Sequence, residues 1–419
     1  MPSTRGRPTH LRAMNERSVL EIVLREGAIS RAELARATGL SKPTISLALS
    51  RLEEAGLLRE VGRTSGNRGA TALLYDLDPS SGHVLAIDVG RRWVRMVLAD
   101  IAGRTRARRN ERTAARGGRQ LPNQIGRIAK DLAAEAGLSL RDVAAATIGS
   151  PGVVQADGDH MQLAPSLPGL QTRGAIDRLR DELGGAPLRL ENDVNLAGLA
   201  ELANGHGTEH DDFVFVSVGT GVGMALVLGG ELRRGASGTA GEIGFLPLPT
   251  GAPARRGLGM FESGVDAYAF VRAAKDRGLR VTRAEQVVAM ARDGNASAQD
   301  VVRREGELLG HGIAAVTAVL DPELVVLGGG LGLGAGDLLI GPITEVLREI
   351  APTAPRVVTS ALSDDVVLRG ALAASLLDAH DRVFGDATGD AGTSTASERA
   401  HHAGTRISGP HLAALLEAQ

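Results

Sequence analysis

The chain has 419 residues, which is enough for two or three domains, and its 47 Lys and Arg against 49 Asp and Glu give a formal net charge of −2. This balance excludes a basic field over the whole chain, and the absence of cysteine excludes disulfides, thiolate nucleophiles and cysteine-based metal sites. No apolar run approaches the roughly 18 residues of a membrane span, and no apolar segment follows the basic N-terminal residues. We therefore expect a cytoplasmic protein that has no membrane partner.

The charge is distributed unevenly along the chain. Residues 1–75 hold 12 Lys and Arg against 7 Asp and Glu, a net +5, whereas the remainder holds 35 against 42, a net −7. Residues 1–12 are predicted to be a basic, loosely ordered arm. The excess of positive charge points to an acidic partner, such as a nucleic acid, at the N-terminal end.

Helix signals follow the arm. A first helix is predicted over residues 16–26, and Ser30 with Glu33 forms a capping box for a second helix. A turn at Gly39 then leads into a third helix over residues 41–56. Two short helices joined through one glycine are typical of a helix-turn-helix, which docks its later helix in the major groove of DNA.

The candidate DNA contacts lie on that later helix and on a wing. Residues 57–61 and 72–75 are predicted strands that flank a Gly- and Arg-rich turn, and residues 78–82 are a predicted linker, so that residues 1–78 form one DNA-binding domain. A helical protein-interaction module with solvated charges is the alternative. The candidate contacts to operator DNA are Ser41, Lys42, Thr44, Ser46, Arg51, Arg63 and Arg68.

Downstream of residue 84, apolar strand candidates alternate with helical segments, which indicates an α/β body. A second basic run, residues 104–119, is interpreted as the solvated face of a hairpin between candidate strands. Residues 386–419 are poor in large apolar side chains, so a disordered tail is expected there.

Glycine turns and polar groups mark a candidate ligand site. Residues 219–221 read Gly-Thr-Gly between two strands, and their backbone N–H groups could form an anion nest. Asn192 and Asp193 follow a predicted strand, and Glu242 stands between glycines. Paired carboxylate and amide groups suit the hydroxyls of a sugar, although Asn192 and Asp193 could instead cap the following helix.

These motifs resemble those of the ROK family of repressors, open reading frames and kinases, over about residues 11–385. The resemblance implies a two-lobed, actin-like ATPase (ribonuclease H-like) body, with residues 84–195 and 361–385 in lobe I, residues 196–360 in lobe II, and a carbohydrate in the cleft. It also implies assembly into a homodimer or homotetramer. The motifs that carry the resemblance are Gly149-Ser150-Pro151-Gly152-Val153, Glu191-Asn192-Asp193, Gly219-Thr220-Gly221-Val222-Gly223, Ala240-Gly241-Glu242-Ile243-Gly244 and Leu327-Gly328-Gly329-Gly330.

The resemblance also assigns residue roles. Asn192, Asp193 and Glu242 match the family's sugar ligands, with Asp193 at the position of the kinase's general base, and Glu262 matches a further ligand in a loosely aligned segment. Phe245 replaces a sugar-facing histidine, and either stacks on a sugar ring or fills space. The full set of candidate ligand residues is Asn192, Asp193, Glu242, Phe245, Glu262 and Gly152, and the remnants of the phosphate loops are Asp88, Gly90, Gly219, Thr220 and Gly221.

Three departures from the family's kinases argue against catalysis. Arg91 and Arg92 stand where the first phosphate loop has Gly and Thr, and are expected to fill that loop. The histidine that would share a zinc ion is Phe245, and the zinc cysteines are absent, with Pro253, Arg255 and Met260 near their places. Apolar contacts or a shorter loop are then expected to hold this region, with no metal and no cofactor.

The sequence thus predicts a transcriptional regulator with a sugar effector in the cleft between the lobes. The leading interpretation is a repressor of carbohydrate uptake or catabolism genes. An ATP-dependent sugar kinase that also binds DNA is one alternative. A regulator with a vestigial cleft, controlled by a protein partner, is another. Sequence alone leaves the sugar, the operator and the sign of regulation open.

Overall fold

The protein was analysed as a computed structural model that describes residues 8–65, 71–114, 120–154, 161–162, 174–249, 251, 255, 257–362 and 365–388. The chain divides into two compact units, Met1–Asp193 with Val367–Gln419, and Val194–Val366. In these described residues no helix is both long and apolar enough to cross a membrane.

The N-terminal domain is a winged helix. Its elements are α1 (Pro8–Glu26), β1 (Ile29–Ser30), α2 (Arg31–Thr38), α3 (Lys42–Glu54), β2 (Leu58–Ser65) and β3 (Thr71–Leu77), and its sheet has the order β1-β3-β2. The capping box of Ser30 and Glu33 is present, and Gly39 ends α2 at φ 70°, a conformation that glycine adopts without strain. The helix-turn-helix predicted from the sequence is confirmed.

Helix α1 is longer than predicted. It begins at Pro8, so the prediction that helix starts only at residue 16 and that residues 8–12 belong to a loose arm is wrong. Leu11 and Met14 are both more than half exposed, at 55% and 53%. Because the first turns of α1 bury little apolar surface, the sequence shows only a weak helical periodicity there.

The first unit also contains a five-stranded mixed sheet in the order β10-β7-β4-β5-β6. Strands β4, β5 and β6 are antiparallel, whereas β7 and β10 run parallel to β4. Its elements are β4 (His83–Val89), β5 (Trp93–Asp100), β6 (Thr105–Arg112), α4 (Gln120–Glu135), β7 (Val143–Ser150), β8 (Val153–Val154), β9 (Met161–Gln162), α5 (Ala175–Glu182) and β10 (Leu188–Asn192).

The second unit repeats this topology. Its sheet has the order β13-β12-β11-β14-β15, again three antiparallel strands followed by two parallel ones. Its elements are α6 (Asp193–Asn204), β11 (Phe213–Val218), β12 (Val222–Leu228), β13 (Glu231–Arg233), α7 (Glu262–Val265), α8 (Ala267–Asp276), α9 (Ala284–Arg292), α10 (Ala296–Leu320), β14 (Leu324–Gly328), α11 (Gly329–Gly334), α12 (Gly336–Ile350) and β15 (Arg356–Thr359). Two copies of one strand order agree with the expected actin-like class.

Two predictions about surface segments need correction. Residues 105–112 of the second basic run form strand β6, at the sheet edge, rather than a segment between strands, and residues 115–119 of that run lie outside the described residues. Its Arg109 pairs with Glu135 at 2.9 Å, as expected for a solvated face. The last helix, α13 (Val366–Thr388), includes residues 386–388, so the predicted disordered tail starts too early, and the remainder of that prediction lies outside the described residues.

A close approach between α10 and Phe261 fixes the segment that carries Glu262. Phe261 is 1% exposed, and a side chain at Gly312 would overlap its ring. Gly385 in the last helix, α13 (Val366–Thr388), is also helical, but a Cβ there would meet no atom within 4 Å. The two glycines therefore differ in packing while sharing a helical backbone.

We expect Gly312→Ala to lower the free energy of unfolding by about 1–3 kcal/mol, because the added methyl group forces Phe261 out of its place. Gly385→Ala is the matched control and should raise it by about 0.5–1 kcal/mol through helix propensity. Urea unfolding followed by circular dichroism measures both. Equal effects of the two substitutions would contradict the packing argument.

Candidate functional site

The start of α3 is organised by its own cap. The hydroxyl of Ser41 accepts a hydrogen bond from the backbone N–H of Thr44 at 3.3 Å and lies 2.8 Å from the Thr44 hydroxyl. Lys42 is exposed beside this cap, and Ser46 is half-buried one turn later. Of these predicted DNA contacts, Lys42 presents a cation next to the N–H groups of a helix N-terminus, where a phosphate binds well.

Arg51 is held within the domain. Its guanidinium group donates a hydrogen bond to the Glu16 carboxylate of α1 at 3.2 Å, and the Glu16 side chain is only 7% exposed. This ion pair fixes α3 against α1, so Arg51 has a structural partner, and its contact with DNA stays a prediction.

Sequence reasoning missed Leu47. This side chain is 54% exposed on α3, whereas Ile45, Leu49 and Leu52 form the buried face of the helix. Leu47 is out of phase with that buried face, which is the signal that could have identified it. An apolar side chain on a recognition helix can contact the methyl group of thymine.

The wing is described only in part. Arg63 is exposed on β2, with its Nε 4.0 Å from a Glu60 carboxylate oxygen. The other predicted wing contact, Arg68, lies outside the described residues.

The predicted first phosphate loop is a tight turn between β4 and β5. The N–H of Gly90 donates to the carbonyl of Trp93 at 2.9 Å, and the carbonyls of Gly90 and Arg92 accept hydrogen bonds from Thr113. Arg91 and Arg92 are both exposed at the corner of this turn. The expectation that their guanidinium groups fill the loop is therefore wrong, because a two-residue corner directs them into solvent.

Asp88, beside this turn, already has a cation. Its carboxylate is nearly buried and accepts a hydrogen bond from Arg95 at 2.8 Å, between paired positions of β4 and β5. Arg95 was not recognised from the sequence. A buried carboxylate that is neutralised in this way is a poorer ligand for a metal ion or a metal–nucleotide complex.

The second glycine turn lies against Glu262. The carboxylate of Glu262 accepts a hydrogen bond from the Val222 N–H at 3.3 Å, and a Cβ built on Gly221 would lie 2.8 Å from Glu262 Oε1. The N–H of Gly219 is bonded to the Gly221 carbonyl at 3.0 Å, and Thr220 is exposed. The predicted anion nest therefore faces an anion of the protein itself.

Glu242 and Glu262 form a pair of partly buried acids in the second unit. Burial raises the pKa of Glu242, and the neighbouring Glu262 raises it further. Burial also raises the pKa of Glu262, while the hydrogen bond from Val222 and the charge of Arg255 act in the opposite direction. Two such carboxyl groups can accept hydrogen bonds from vicinal hydroxyls.

Phe245 follows Glu242 on the same short helical turn and is 51% exposed. An exposed ring does not fill space in the core, so the space-filling interpretation of Phe245 is wrong. An exposed aromatic face beside carboxyl groups is instead suited to stacking on the apolar face of a sugar ring.

In the first unit the structure brings Asn192 and Gly152 together. The side-chain amide of Asn192 donates a hydrogen bond to the Gly152 carbonyl at 3.0 Å, and Gly152 has φ 120°, which few other residues adopt. Asp193 is the first residue of α6. The described side-chain bond of Asn192 is therefore to the Gly152 loop, which fixes its amide at the end of β10.

The region where the family's zinc site would lie does not fit a zinc ion. Cysteine is absent from the chain, and the described residues contain no group of three or more possible metal ligands. Arg255 instead pairs with Asp266, which is fully buried and caps α8. The Ser263 hydroxyl accepts a hydrogen bond from the backbone N–H of Arg255 at 3.2 Å and donates one to the Gly259 carbonyl at 2.8 Å.

The expectation that apolar contacts or a shorter loop hold this region is thus incomplete, because a polar network contributes. Pro253 lies outside the described residues, and Met260 is 46% exposed.

Replacement of Lys42 by Ala should weaken DNA binding and lower its salt dependence by about one unit of slope, because one phosphate contact is lost. Lys275→Ala, which removes an exposed lysine of α8 in the second unit, is the control and should change neither quantity. Fluorescence anisotropy with DNA from upstream of the gene, over a series of salt concentrations, measures both. Identical slopes for the wild type and Lys42→Ala would contradict this assignment.

Arg255→Ala should lower the free energy of unfolding by roughly 3 kcal/mol, because it leaves the carboxylate of Asp266 buried without its cation. Arg280→Ala, at an exposed position in the same unit, should change it by less than about 0.5 kcal/mol. Chemical unfolding is the measurement. A stability of Arg255→Ala equal to that of the control would show that the ion pair does not brace this region.

Comparison with known proteins shows which family the chain resembles. The ROK family profile matches residues 84–377, and a winged helix-turn-helix DNA-binding profile matches residues 15–59. A xylose repressor of Caldicellulosiruptor bescii is 22% identical over 394 residues, 89% of this chain and 98% of that protein. A glucokinase of Halalkalibacterium halodurans is 31% identical over 240 residues, 53% of this chain and 71% of that enzyme.

Among solved structures, a ROK family transcriptional regulator described as a homologue of the Escherichia coli MLC protein has a TM-score of 0.75 at 21% identity, with 91% of this chain and 100% of that chain covered. This likeness shows the fold. The profile matches establish that the chain belongs to the ROK family and carries an N-terminal winged helix-turn-helix DNA-binding domain.

Proposed function

We propose that this protein is a sugar-responsive repressor that binds operator DNA through its winged helix and a small carbohydrate through its ROK body. The observation that carries the proposal is the joining of a DNA-binding domain to a body whose phosphate-loop residues are paired within the protein. The repressor relative, which matches along 98% of its length, supports the same function.

The proposed sugar ligands are Asn192 and Asp193 in the first unit, with Gly152 beside them, and Glu242, Phe245 and Glu262 in the second. Amide and carboxylate groups bind hydroxyls as donors and acceptors, and the exposed ring of Phe245 adds an apolar surface for one face of a pyranose. An aldose such as D-xylose has this chemistry, and the named repressor relatives make it the first effector to test.

The body is proposed to lack sugar kinase activity. Phosphoryl transfer needs positioned phosphates, a metal ion and a base, and Asp193 alone supplies only the last. Asp88 is already paired with Arg95 of the neighbouring strand. The Glu262 carboxylate lies at the second glycine turn, where it repels a nucleotide phosphate. The glucokinase relative is the observation that favours the alternative, an ATP-dependent sugar kinase that also binds DNA.

Regulation requires that the sugar discriminate between two states. The effector must bind the state that releases DNA more tightly than the state that binds DNA, because equal affinity for both shifts nothing. A homodimer or homotetramer would place two winged helices on a pseudo-palindromic operator, and the sugar would change their spacing.

We expect D-xylose or another aldose to weaken binding to DNA from upstream of the gene by about ten-fold or more, without ATP. In Asn192→Ala/Asp193→Ala, operator binding should persist and the sugar response should disappear. Fluorescence anisotropy measures DNA affinity, and calorimetry measures sugar binding to the full chain. A full sugar response in the double variant would contradict the proposed ligand set.

Sugar affinity should fall as the pH is lowered from about 7.5 towards about 5. The pKa of Glu242 is raised by burial and by Glu262, so its carboxylate begins to gain a proton at higher pH than an ordinary glutamate. The charged form accepts the stronger hydrogen bonds, and the protonated form loses them. In Glu242→Gln, calorimetry should give a weaker affinity at about pH 7.5 and a flatter pH profile. A pH profile as steep as that of the wild type would show that Glu242 is not a sugar ligand.

Transfer of radiolabelled phosphate from ATP to D-glucose and D-xylose should stay at the level of a protein-free control. Wild-type transfer that is abolished by Asp193→Asn would instead establish the kinase alternative. The glucokinase of Halalkalibacterium halodurans serves as the positive control for the assay.

A further inference from the structure

The chain passes between its two units at two described places. One passage is Asp193 to Val194, where β10 leads into α6, and the other is Val366 to Val367, at the start of α13. A conformational change that one unit transmits to the other along the chain must therefore pass through β10 or α13. Both elements carry residues whose side chains are paired in the structure.

An ion pair joins these two elements within the first unit. Arg189 of β10 donates two hydrogen bonds to Asp378 of α13, one from its Nε to Oδ2 at 2.7 Å and one from its Nη2 to Oδ1. Their side chains are 23% and 30% exposed. A bidentate guanidinium–carboxylate pair is directional, so it couples the orientation of α13 to that of β10 more tightly than a single contact would.

Arg189 lies three residues before Asn192 on the same strand. Residues 188–192 are paired in register with residues 146–150 of β7, so β10 is a continuous element from the ion pair to the proposed sugar ligand. A change at Asn192 that moves the end of β10 therefore acts on Arg189.

One helical turn after Asp378, α13 contacts the winged helix. Asp381 accepts a hydrogen bond from Arg17 of α1, with Nη2 3.3 Å from Oδ1. The preceding residue of α1, Glu16, accepts a hydrogen bond from Arg51 of α3 at 3.2 Å. Two ion pairs at adjacent positions of α1 thus connect it to α13 on one side and to the DNA-reading helix on the other.

We propose that α13 transmits occupancy of the sugar site to the winged helix through the pairs Arg189–Asp378 and Asp381–Arg17. This connection rests on the proposed function, because it assigns the regulation of the same site. It differs from that proposal in predicting that residues outside both the sugar site and the DNA contacts set the strength of the coupling.

The expected size of the effect is small but measurable. Arg17 and Asp381 are 59% and 47% exposed, and an exposed ion pair changes an equilibrium by about two- to five-fold. The half-buried Arg189–Asp378 pair is expected to contribute more, about ten-fold, because breaking it leaves a charge with less solvent around it.

The test uses the full chain and four variants. Asp381→Asn and Asp378→Asn each break one pair and leave the Arg17–Glu21 pair of α1 in place, and Arg17→Asp/Asp381→Arg exchanges the charges of the α1–α13 pair. Arg25→Ala is the matched control, since Arg25 also lies on α1 and pairs with Glu26 of the same helix. Operator affinity is measured by anisotropy with and without D-xylose, and D-xylose affinity is measured by calorimetry.

The ratio of operator affinities without and with D-xylose should fall by about three-fold in Asp381→Asn and by about ten-fold in Asp378→Asn. The charge exchange should restore at least half of the ratio, and Arg25→Ala should leave it unchanged. D-xylose affinity in these variants should stay within about three-fold of the wild type. Ratios equal to that of the wild type in both Asp381→Asn and Asp378→Asn would overturn the proposal.

A second measurement separates this inference from the proposed function. Amide hydrogen exchange of α1 in the sugar-free protein should become about two- to five-fold faster in Asp378→Asn and stay unchanged in Arg25→Ala. If D-xylose does not release wild-type protein from DNA, the proposed effector is wrong and the exchange result alone decides the connection. Unchanged exchange of α1 in Asp378→Asn would then overturn it.

Discussion

Complete burial of one interior strand in each sheet is the constraint on which both sheets depend. All seven residues of β4 and all five of β14 are buried, so every backbone polar group in them needs a partner in the sheet. Strands bound on both sides cannot shift in register without losing these bonds and exposing apolar side chains. The ends of the strands are therefore fixed in space, so Asp88 near the end of β4 and the turn after β11, which pairs with β14, have fixed positions.

On this framework, side chains of the protein occupy the places where phosphate or metal would be expected from the family. Arg95 neutralises Asp88, Glu262 accepts the N–H of Val222 at the second glycine turn, and Arg255 pairs with buried Asp266. Each pair satisfies a charge or N–H group that would otherwise be available to a ligand. The proposed loss of kinase activity therefore has one physical basis, which is internal pairing of the groups that catalysis would use.

In the DNA-binding domain, capping and turn residues set some helix boundaries, whereas packing sets the others. The Ser30 box, Gly39 and the Ser41 cap follow from the chemistry of adjacent residues, and the predicted boundaries of α2 and α3 rest on them. The start of α1 and the exposure of Leu47 depend on which faces find partners, and a single sequence does not reveal this. The ion pair of Arg51 with Glu16 joins residues 35 positions apart and left no local signal.

The sequence by itself determined the order of the elements, the glycine turns, the winged helix, and the candidate polar residues at Asn192, Asp193 and Glu242. These features follow from hydrophobic period, capping and turn chemistry, which act over a few residues. Only the tertiary structure decided that Arg91 and Arg92 are exposed, that Phe245 presents its ring, and that Arg95, Arg189 and Arg255 have carboxylate partners. The reason is physical: exposure and ion pairing depend on distances between segments far apart in the chain, and those distances exist only once the sheets have packed.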